Sequence, residues 1–290
     1  MSLIWVFWSN PREACAALPQ TKVLLQELVD LSVRVVEARY GALGVLTRLG
    51  EAFADFLTAG IDLKSRLAIG ANPLGVGPVG VILRDPRPLR VPDIGQDPRA
   101  AGFPPHHPRM RSFLGVPIRS GRKVRGGLYF TGKESLPEFR PEDERLAECL
   151  ARLAAEILDG KMGHTAVQRS LKYLRDGVDG EGEAVVIMGP GREIIRWSGG
   201  ARALFGFTAD EALGRGFVDL LVPPEDRERW RRQFEPHLMR ELSEGKIYRA
   251  NVTRLHKSGR RLPVRITLSP ILHDMAGVKT IVGVYKFKKE

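Results

Sequence analysis

Residues 112–132 read "SFLGVPIRSGRKVRGGLYFTG", and the way this stretch is taken decides the fold of the first half of the chain. Two strand-like runs, 112–120 and 125–132, stand on either side of a short polar segment. Just downstream, Arg140-Pro141-Glu142 opens a long amphipathic helix, with proline in the first turn and acids after it, as helix starts prefer. Its apolar stripe takes in Leu146, Cys149, Leu150, Leu153, Ile157 and Leu158. Upstream, Leu24, Leu25, Leu28, Leu31, Val35 and Val36 recur at helical spacing, which predicts a helix over 21–40 closed by Gly41. Further strands are expected at 42–48, 52–60 and 89–93, with a short helix over 79–83. Helix, antiparallel strands and exit helix together make an α+β domain of about 140 residues.

Directly before residue 112 lies "GFPPHHPRMR" (102–111), where two adjacent histidines, His106 and His107, are boxed in by prolines. Four prolines fall between Pro104 and Pro117, so this is a stiff, non-helical loop. Two answers remain open from the residues alone: a ligand to a metal or cofactor, or an ordinary structural turn.

Beyond the exit helix, residues 160–180 form a helical connector that is expected to continue it. A second α+β domain follows over 181–290. "AVVIMGPGREIIRWSGG" predicts a hairpin around Gly189-Pro190-Gly191, and Thr208 with Glu211 three residues on forms a capping-box pattern. Residues 223–245 read as a helical region interrupted at Pro236. Three closing strands alternate, and "VRITLSPI" (264–271) implies one buried and one wet face. The expected architecture is therefore two domains, 21–159 and 181–290, each an antiparallel sheet with helices, joined by a long helical linker and preceded by a leader over 1–20.

The chain has 290 residues, 43% hydrophobic and 27% charged, in the range of folded globular proteins. Its formal net charge of +11 raises the question of nucleic acid. The basic residues, however, are interleaved with acids, as in "PEDRERWRRQFE", which reads as a solvated helix face, and no helix-turn-helix is found. The two cysteines, Cys15 and Cys149, have no CxxC spacing, which excludes a zinc ribbon and points to a reducing, cytoplasmic setting. "MSLIWVFW" is too short to span a bilayer, and no other stretch approaches the ~20 apolar residues a span needs. Phosphate loops, GxSxG, HExxH and the ATP-binding boxes of kinases are all missing, so no enzyme is expected in this chain.

The second domain resembles a PAS domain through "GREIIRWSGGARALFGFTADEALGRGFVDLLVPPEDRERW" and "RLHKSGRRLPVRITLSPI", with Ser198 where the family usually has Asn. The first resembles a GAF domain through "ARYGALGVL", "GVILRDPRPLRVPDI", "GFPPHHPRMRSFLGVPIR" and "GGLYFTGK" followed by "PEDERL". The combination is similar to GAF domains of bacterial sensor histidine kinases, in particular the heme-binding oxygen and redox sensors of mycobacterial dormancy control. That resemblance implies heme b, with His107, in "HPRM", as the proximal iron ligand and Tyr129 over the distal face. The separation of 22 residues (129 − 107) matches that family, whereas Arg109 stands where a second proline is common. "FLGVP" (including Phe113), "GVGPVGVIL" and Phe103 would supply an apolar lining, and Arg109, Arg111 and Arg119 a rim for propionates. The function so implied is the sensing input of a two-component system, responding to O2, NO, CO or redox state and feeding a kinase or response regulator. A parallel homodimer through the exit and connector helices is expected with it. The chain closes with "YKFKKE", where a transmitter helix would begin in such a kinase; a stand-alone sensor is the other possibility.

The alternative is a heme-free dimerisation and relay module taking an organic ligand or cyclic nucleotide. Lys133, Phe139, Asp143 and Glu144 fit a cyclic-nucleotide constellation, with Gly132 in place of its Asn, although a Lys–Asp pair can equally lock a strand to a helix. Covalent bilin would need a cysteine at the position of His106. In the PAS domain Trp230 occupies the place of the heme histidine of oxygen-sensing relatives, His237 reads as surface-exposed, and the flavin cysteine is missing. His164, His256 and His273 receive no role.

Overall fold

The computed structural model describes residues 19–47, 49–50, 52–69, 77–99, 107–134, 136–162, 164–179, 184–244, 246–274 and 277–288. The expected leader over 1–20 lies almost wholly outside them. Helix α1 (Pro19–Val36) leads into β1 (Ala38–Leu46) and β2 (Phe53–Ala59), then α2 (Leu63–Ile69), α3 (Gly77–Arg84), β3 (Leu89–Val91), β4 (Phe113–Ser120), β5 (Lys123–Lys133) and α4 (Pro141–Asp159). After α5 (His164–Asp179) come β6 (Ala184–Met188), β7 (Ile194–Trp197), α6 (Gly199–Phe205), α7 (Ala209–Ala212) and α8 (Phe217–Leu221). Helix α9 (Arg227–Arg229), a π-helical turn (Trp230–Phe234) and α10 (Glu235–Ser243) precede β8 (Tyr248–Leu255), β9 (Arg261–Asp274) and β10 (Gly277–Phe287). Two five-stranded antiparallel sheets result, ordered β2-β1-β5-β4-β3 and β7-β6-β10-β9-β8. The order is the same in both, with the last strand of each domain in the middle.

Several boundaries differ from the sequence expectation for identifiable reasons. Helix α1 stops at Val36 rather than Tyr40, because Glu37 takes the left-handed conformation (φ 56°) that Gly41 was expected to supply. Gly41 instead lies within β1, where an added Cβ would strike the Val33 side chain of α1. The connector does not continue α4. Gly160 (φ 64°) caps that helix and the chain turns before α5. Conversely, Pro236 does not interrupt its helix: the backbone stays right-handed through Phe234 and Glu235. The helix widens to a π turn over Trp230–Phe234, which absorbs the hydrogen bond that proline cannot donate.

The largest revision concerns the second sheet. One face is covered by α6, α8 and α10, packing Phe205, Phe217, Leu221, Trp230 and Leu242 against Val264, Ile266 and Tyr285. The opposite face was expected to be wet, and at the start of β9 it is: Pro263 and Arg265 are exposed. But β9 is 14 residues long, and further along Ser269 and Ile271 pass beneath α4 and α5. Val185, Ile187, Ile195, Ile271 and Val282 of this sheet share one core with α1, α4, α5 and the inner face of the first sheet. Helices α1, α4 and α5 are therefore a common layer between two sheets. The α4 stripe expected to form a seam between two copies (Leu146, Cys149, Leu150, Leu153 and Ile157, with Leu158 packed against them) is buried inside one chain, as are Val167, Leu171 and Leu174 of α5. Ser170 adds a buried hydrogen bond, Oγ to Ile271 O, 2.9 Å.

The shared layer gives a direct prediction. Leu171, fully buried, replaced by alanine should lower the unfolding free energy by about 2–4 kcal/mol. Gln168→Ala, on the exposed side of the same helix, should stay within about 0.5 kcal/mol in the same denaturant titration.

Candidate functional site

The outer face of the first sheet, away from α1 and α4, carries the site residues. Because side chains alternate along a strand, only part of each expected lining segment reaches this face. Of "FLGVP", Phe113 and Gly115 face it, whereas Leu114 and Val116 belong to the helical side. Of "GVGPVGVIL", Val79 and Ile82 contribute from α3. Phe103 and His106 lie outside the described residues.

Three glycines make the floor. Gly44 pairs with Gly127 across β1 and β5, and Gly115 pairs with Tyr129 across β4 and β5. Aromatic rings lie down on them: Phe53 over Gly44, Phe113 with Ile82 over Gly115, and Tyr129 over Gly127, its own neighbour two residues back. At each glycine a Cβ would occupy the space of the ring. Tyr129 lies between Phe56 and Phe113, with centroids 6.4 and 6.3 Å away. Phe53 meets Phe56 edge-on at 5.2 Å. Ile82, Val91, Ile94 and Met110 complete an apolar cluster.

The Tyr129 hydroxyl is buried in this cluster without a hydrogen-bond partner. Burial pushes its pKa well above the usual phenol value, so it is a neutral O–H throughout the ordinary pH range. His107 sits at the start of the described stretch that leads into β4 and is half-buried. Its Nδ1 is 2.9 Å from Pro108 O. A carbonyl can only accept, so Nδ1 carries the proton, and in the neutral ring the lone pair is on Nε2. The same stretch is tied to the site face by Thr131, whose Oγ1 donates to Met110 Sδ at 3.0 Å, two residues along β5 from Tyr129. The structure thus brings Tyr129 and Phe113 into one cluster, with Met110, three residues after His107, packed against it. Among the arginines expected at the rim, Arg111 faces Asp93 at 3.3 Å and Arg119 donates to Pro86 O; Arg109 is exposed. Among the described residues there is no group of three or more His, Cys, Asp or Glu arranged to hold a metal ion.

The Lys133 constellation lies elsewhere and is structural. Its ammonium, nearly inaccessible, donates to Val36 O (2.7 Å) and Asp143 (2.9 Å), faces Glu37 at 3.5 Å and lies 6.0 Å from the Phe139 ring centroid. An ammonium has three donors, and these partners take them. Glu144 is paired with Arg90 at 2.6 Å. Glu37, which no sequence pattern singled out, also binds Arg196 of β7 at 2.7 Å, so the same cluster reaches the second sheet. In the second domain Trp230 is buried and His237 exposed. No helix among the described residues is long and apolar enough to cross a membrane.

Residues 20–159 match the GAF domain family model and residues 182–286 the PAS domain model. The chain carries a GAF domain followed by a PAS domain, both signal-sensing folds. Among solved structures, the second half is similar to the PAS domain of a protein from Colwellia psychrerythraea, at 21% identity over 41% of this chain and 96% of that one, TM-score 0.35. The first half is similar to the GAF domain of the Acinetobacter phosphoenolpyruvate-protein phosphotransferase, at 19% identity over 49% and 91%, TM-score 0.38. The light-state LOV domain of the photoreceptor Aureochrome1 matches at 22% over 37% and 82%, TM-score 0.29.

The packing at Tyr129 is open to test. Tyr129→Phe deletes a buried, unpartnered hydroxyl and should raise the stability of the unliganded chain by roughly 1 kcal/mol or more. Gly127→Ala forces the same ring off the sheet and should cost about 1–3 kcal/mol. Thermal or chemical denaturation reads both.

Proposed function

We propose that this GAF–PAS chain is the sensing input of a two-component system, and that its GAF domain would take heme b on the glycine-floored face, where His107 would hold the iron and Tyr129 would offer a hydrogen-bond donor. The observation that carries this reading is the Tyr129 hydroxyl: a neutral donor held without a partner at the centre of an apolar, aromatic cluster. Natural folds rarely leave such a group unsatisfied, and a ligand that accepts one hydrogen bond in an otherwise apolar setting would satisfy it.

The residues present suit a planar, apolar group. The Gly44, Gly127 and Gly115 floor lets flat rings approach the backbone, and Phe53, Phe56 and Phe113 are the rings such a group would displace or stack on. His107 has an orienting partner of the kind a ligating imidazole needs: Nδ1–H is engaged by Pro108 O, which fixes the ring. When bound, heme would supply, on the Tyr129 side, an iron that takes O2, NO or CO or changes its oxidation state. The part of Tyr129 is to donate its O–H to whatever occupies that side. It stays protonated at all working pH, so the hydrogen bond does not switch with pH.

Output runs through β5 and the shared helical layer. Tyr129 and Thr131 lie on the outer face of β5, Gly132 (φ 70°) turns Lys133 to the helical side, and Lys133 is joined through Glu37 to Arg196 of the PAS sheet. A shift of β5 relative to α1 and α4 is thereby transmitted to the second domain, and from there to a kinase or response regulator partner in the cytoplasm. A cyclic nucleotide as the signal gains no support, since the Lys133 donors are committed to protein groups.

The absorbance spectrum of chain produced with a heme supply tests the reading. A Soret band is expected that is lost in His107→Ala and kept in His106→Ala. Tyr129→Phe should keep the band but speed O2 dissociation about tenfold, the loss of one hydrogen bond of ~1 kcal/mol or slightly more. A folded, heme-supplied chain with no Soret band overturns it.

A further inference from the structure

The formal charge of +11 is unevenly placed along the chain, and its placement is independent of the heme reading. Helical segments interleave bases with acids, but that interleaving ends at Glu244. From Lys246 to Lys289 the sequence holds eleven lysines and arginines against one acid, Asp274, so the three closing strands carry nearly all of the excess. Asp274 is the last residue of β9, at the end away from Arg261 and Arg265.

Strand register gathers several of these cations on one surface. Tyr248, Ala250 and Val252 of β8 join Leu268, Ile266 and Val264 of β9 in the helix-covered core, so Arg249, Asn251 and Thr253 stand on the opposite face. On that face Arg265 of β9 lies between Asn251 of β8 and Lys286 of β10, directly opposite both. Arg249, opposite Thr267, is its diagonal neighbour. All three cations are exposed. Neither Arg249 nor Arg265 forms an ion pair among the described residues, and Glu211 and Glu225 are taken by Lys257 and Arg261 of the β8–β9 hairpin. Like charges directly opposite on neighbouring strands destabilise a sheet, yet Arg265 and Lys286 are so placed. Farther along, the same face passes beneath α4 and α5 at Ser269 and Ile271. That layer rises on the order of 10 Å above the sheet. It leaves an open stretch from Arg261 to Thr267, about 20 Å long.

We infer that this open basic face docks the sugar–phosphate backbone of a duplex nucleic acid, with Arg249, Arg265 and Lys286 on phosphates and Asn251, Thr253 and Thr267 as neutral hydrogen-bonding neighbours. Protein partners bind mainly through buried aromatic and apolar anchors. The open stretch has no exposed aromatic ring among the described residues: Phe287, half-exposed, is opposite Val264 and belongs to the other face. The same lack of rings removes the platform on which single strands stack. A bilayer is flat and is held off by α4 and α5, which stand up beside the stretch, whereas a rod can lie against that step. Phosphate contacts require only charge and hydrogen-bond donors, and these are what the face supplies. Docking of this kind is independent of base sequence.

The test is fluorescence anisotropy of labelled duplexes of arbitrary sequence, one of DNA and one of RNA, titrated with the full-length chain over a range of salt. At least one duplex is expected to bind with Kd on the order of 10⁻⁵ M, its log K falling against log salt with a slope of about −3 for three phosphates neutralised. Arg249→Gln combined with Arg265→Gln should weaken binding at least about tenfold and bring the slope to about −1. The same variant should melt no earlier than wild type, because it relieves like-charge repulsion on the sheet. Arg231→Gln combined with Arg232→Gln removes equal charge from the helical side of the domain and should stay within about twofold of wild type, since distant exposed charges are screened. The inference falls if neither duplex binds, if the Arg249/Arg265 variant binds as well as wild type, or if the Arg231/Arg232 variant loses as much. It falls equally if single-stranded DNA, polyglutamate or phosphatidylserine vesicles bind as tightly as the duplexes.

Discussion

Everything in this molecule depends on one layer of helices being buried on both sides. A helix at the surface of an ordinary domain spends one stripe on its core and keeps the rest wet. In α4, Leu146, Ala147, Cys149, Leu150, Ala151, Leu153, Ala154 and Ala155 are all buried, too wide an arc for a single contact. The run of alanines lets the second sheet approach the side of α4 that would otherwise meet water. Connection by α5, turned back at Gly160, then brings β9 and β10 under the same layer. The GAF sheet and the PAS sheet are coupled through side chains packed at interior density, where displacements are passed on rather than absorbed.

That coupling has a polar counterpart at the end of α1. Glu37 is a non-glycine residue at φ 56°, a conformation that costs free energy unless its surroundings demand it. What is gained there is geometry. The turn exposes Val36 O to Lys133, and the carboxylate of Glu37 stands between Lys133 and Arg196. Lys133 belongs to β5 and Arg196 to β7, so one carboxylate joins the central strand of the first sheet to the edge strand of the second.

Much of the architecture was legible because periodicity reports one buried face well. The β4–β5 hairpin, the proline start of α4, the capping box at Thr208 and the closing strands of the PAS domain all follow local rules that tertiary packing leaves intact. What was illegible is whatever a second partner covers. Ser269 and Ile271 belong to a face whose earlier members, Pro263 and Arg265, are plainly wet, and nothing local says where along β9 the helices begin to cover it. Glycine misled for a related reason. Gly41 looks like a helix stop, but it is small because Val33 presses on it, and the left-handed turn falls to Glu37. Arg254 is the sharpest case: in "NVTRLHKSG" an arginine beside a turn reads as solvated, and only the fold shows Phe217 and Trp230 closing over it. At the GAF site Tyr129 and Phe113 share one aromatic cluster, while the contact of His107 with Pro108 O depends on loop geometry that residue types do not encode.

The two domains repeat one device at the same topological position, and the difference between the copies is informative. On each central strand a tyrosine lies over the glycine two residues before it, Tyr129 over Gly127 and Tyr285 over Gly283, and each keeps a buried hydroxyl without a partner. Laying the ring flat needs the glycine, and it turns the hydroxyl along the strand into the space between sheet and cover. Around Tyr129 that space is purely apolar and aromatic. Around Tyr285 it contains a guanidinium, whose charge pulls the phenol pKa down against the upward push of burial. The same scaffold thus presents a neutral donor in one domain and a donor beside a cation in the other. Two like-ordered sheets around one helical layer therefore differ most in the polarity they place beside the same tyrosine.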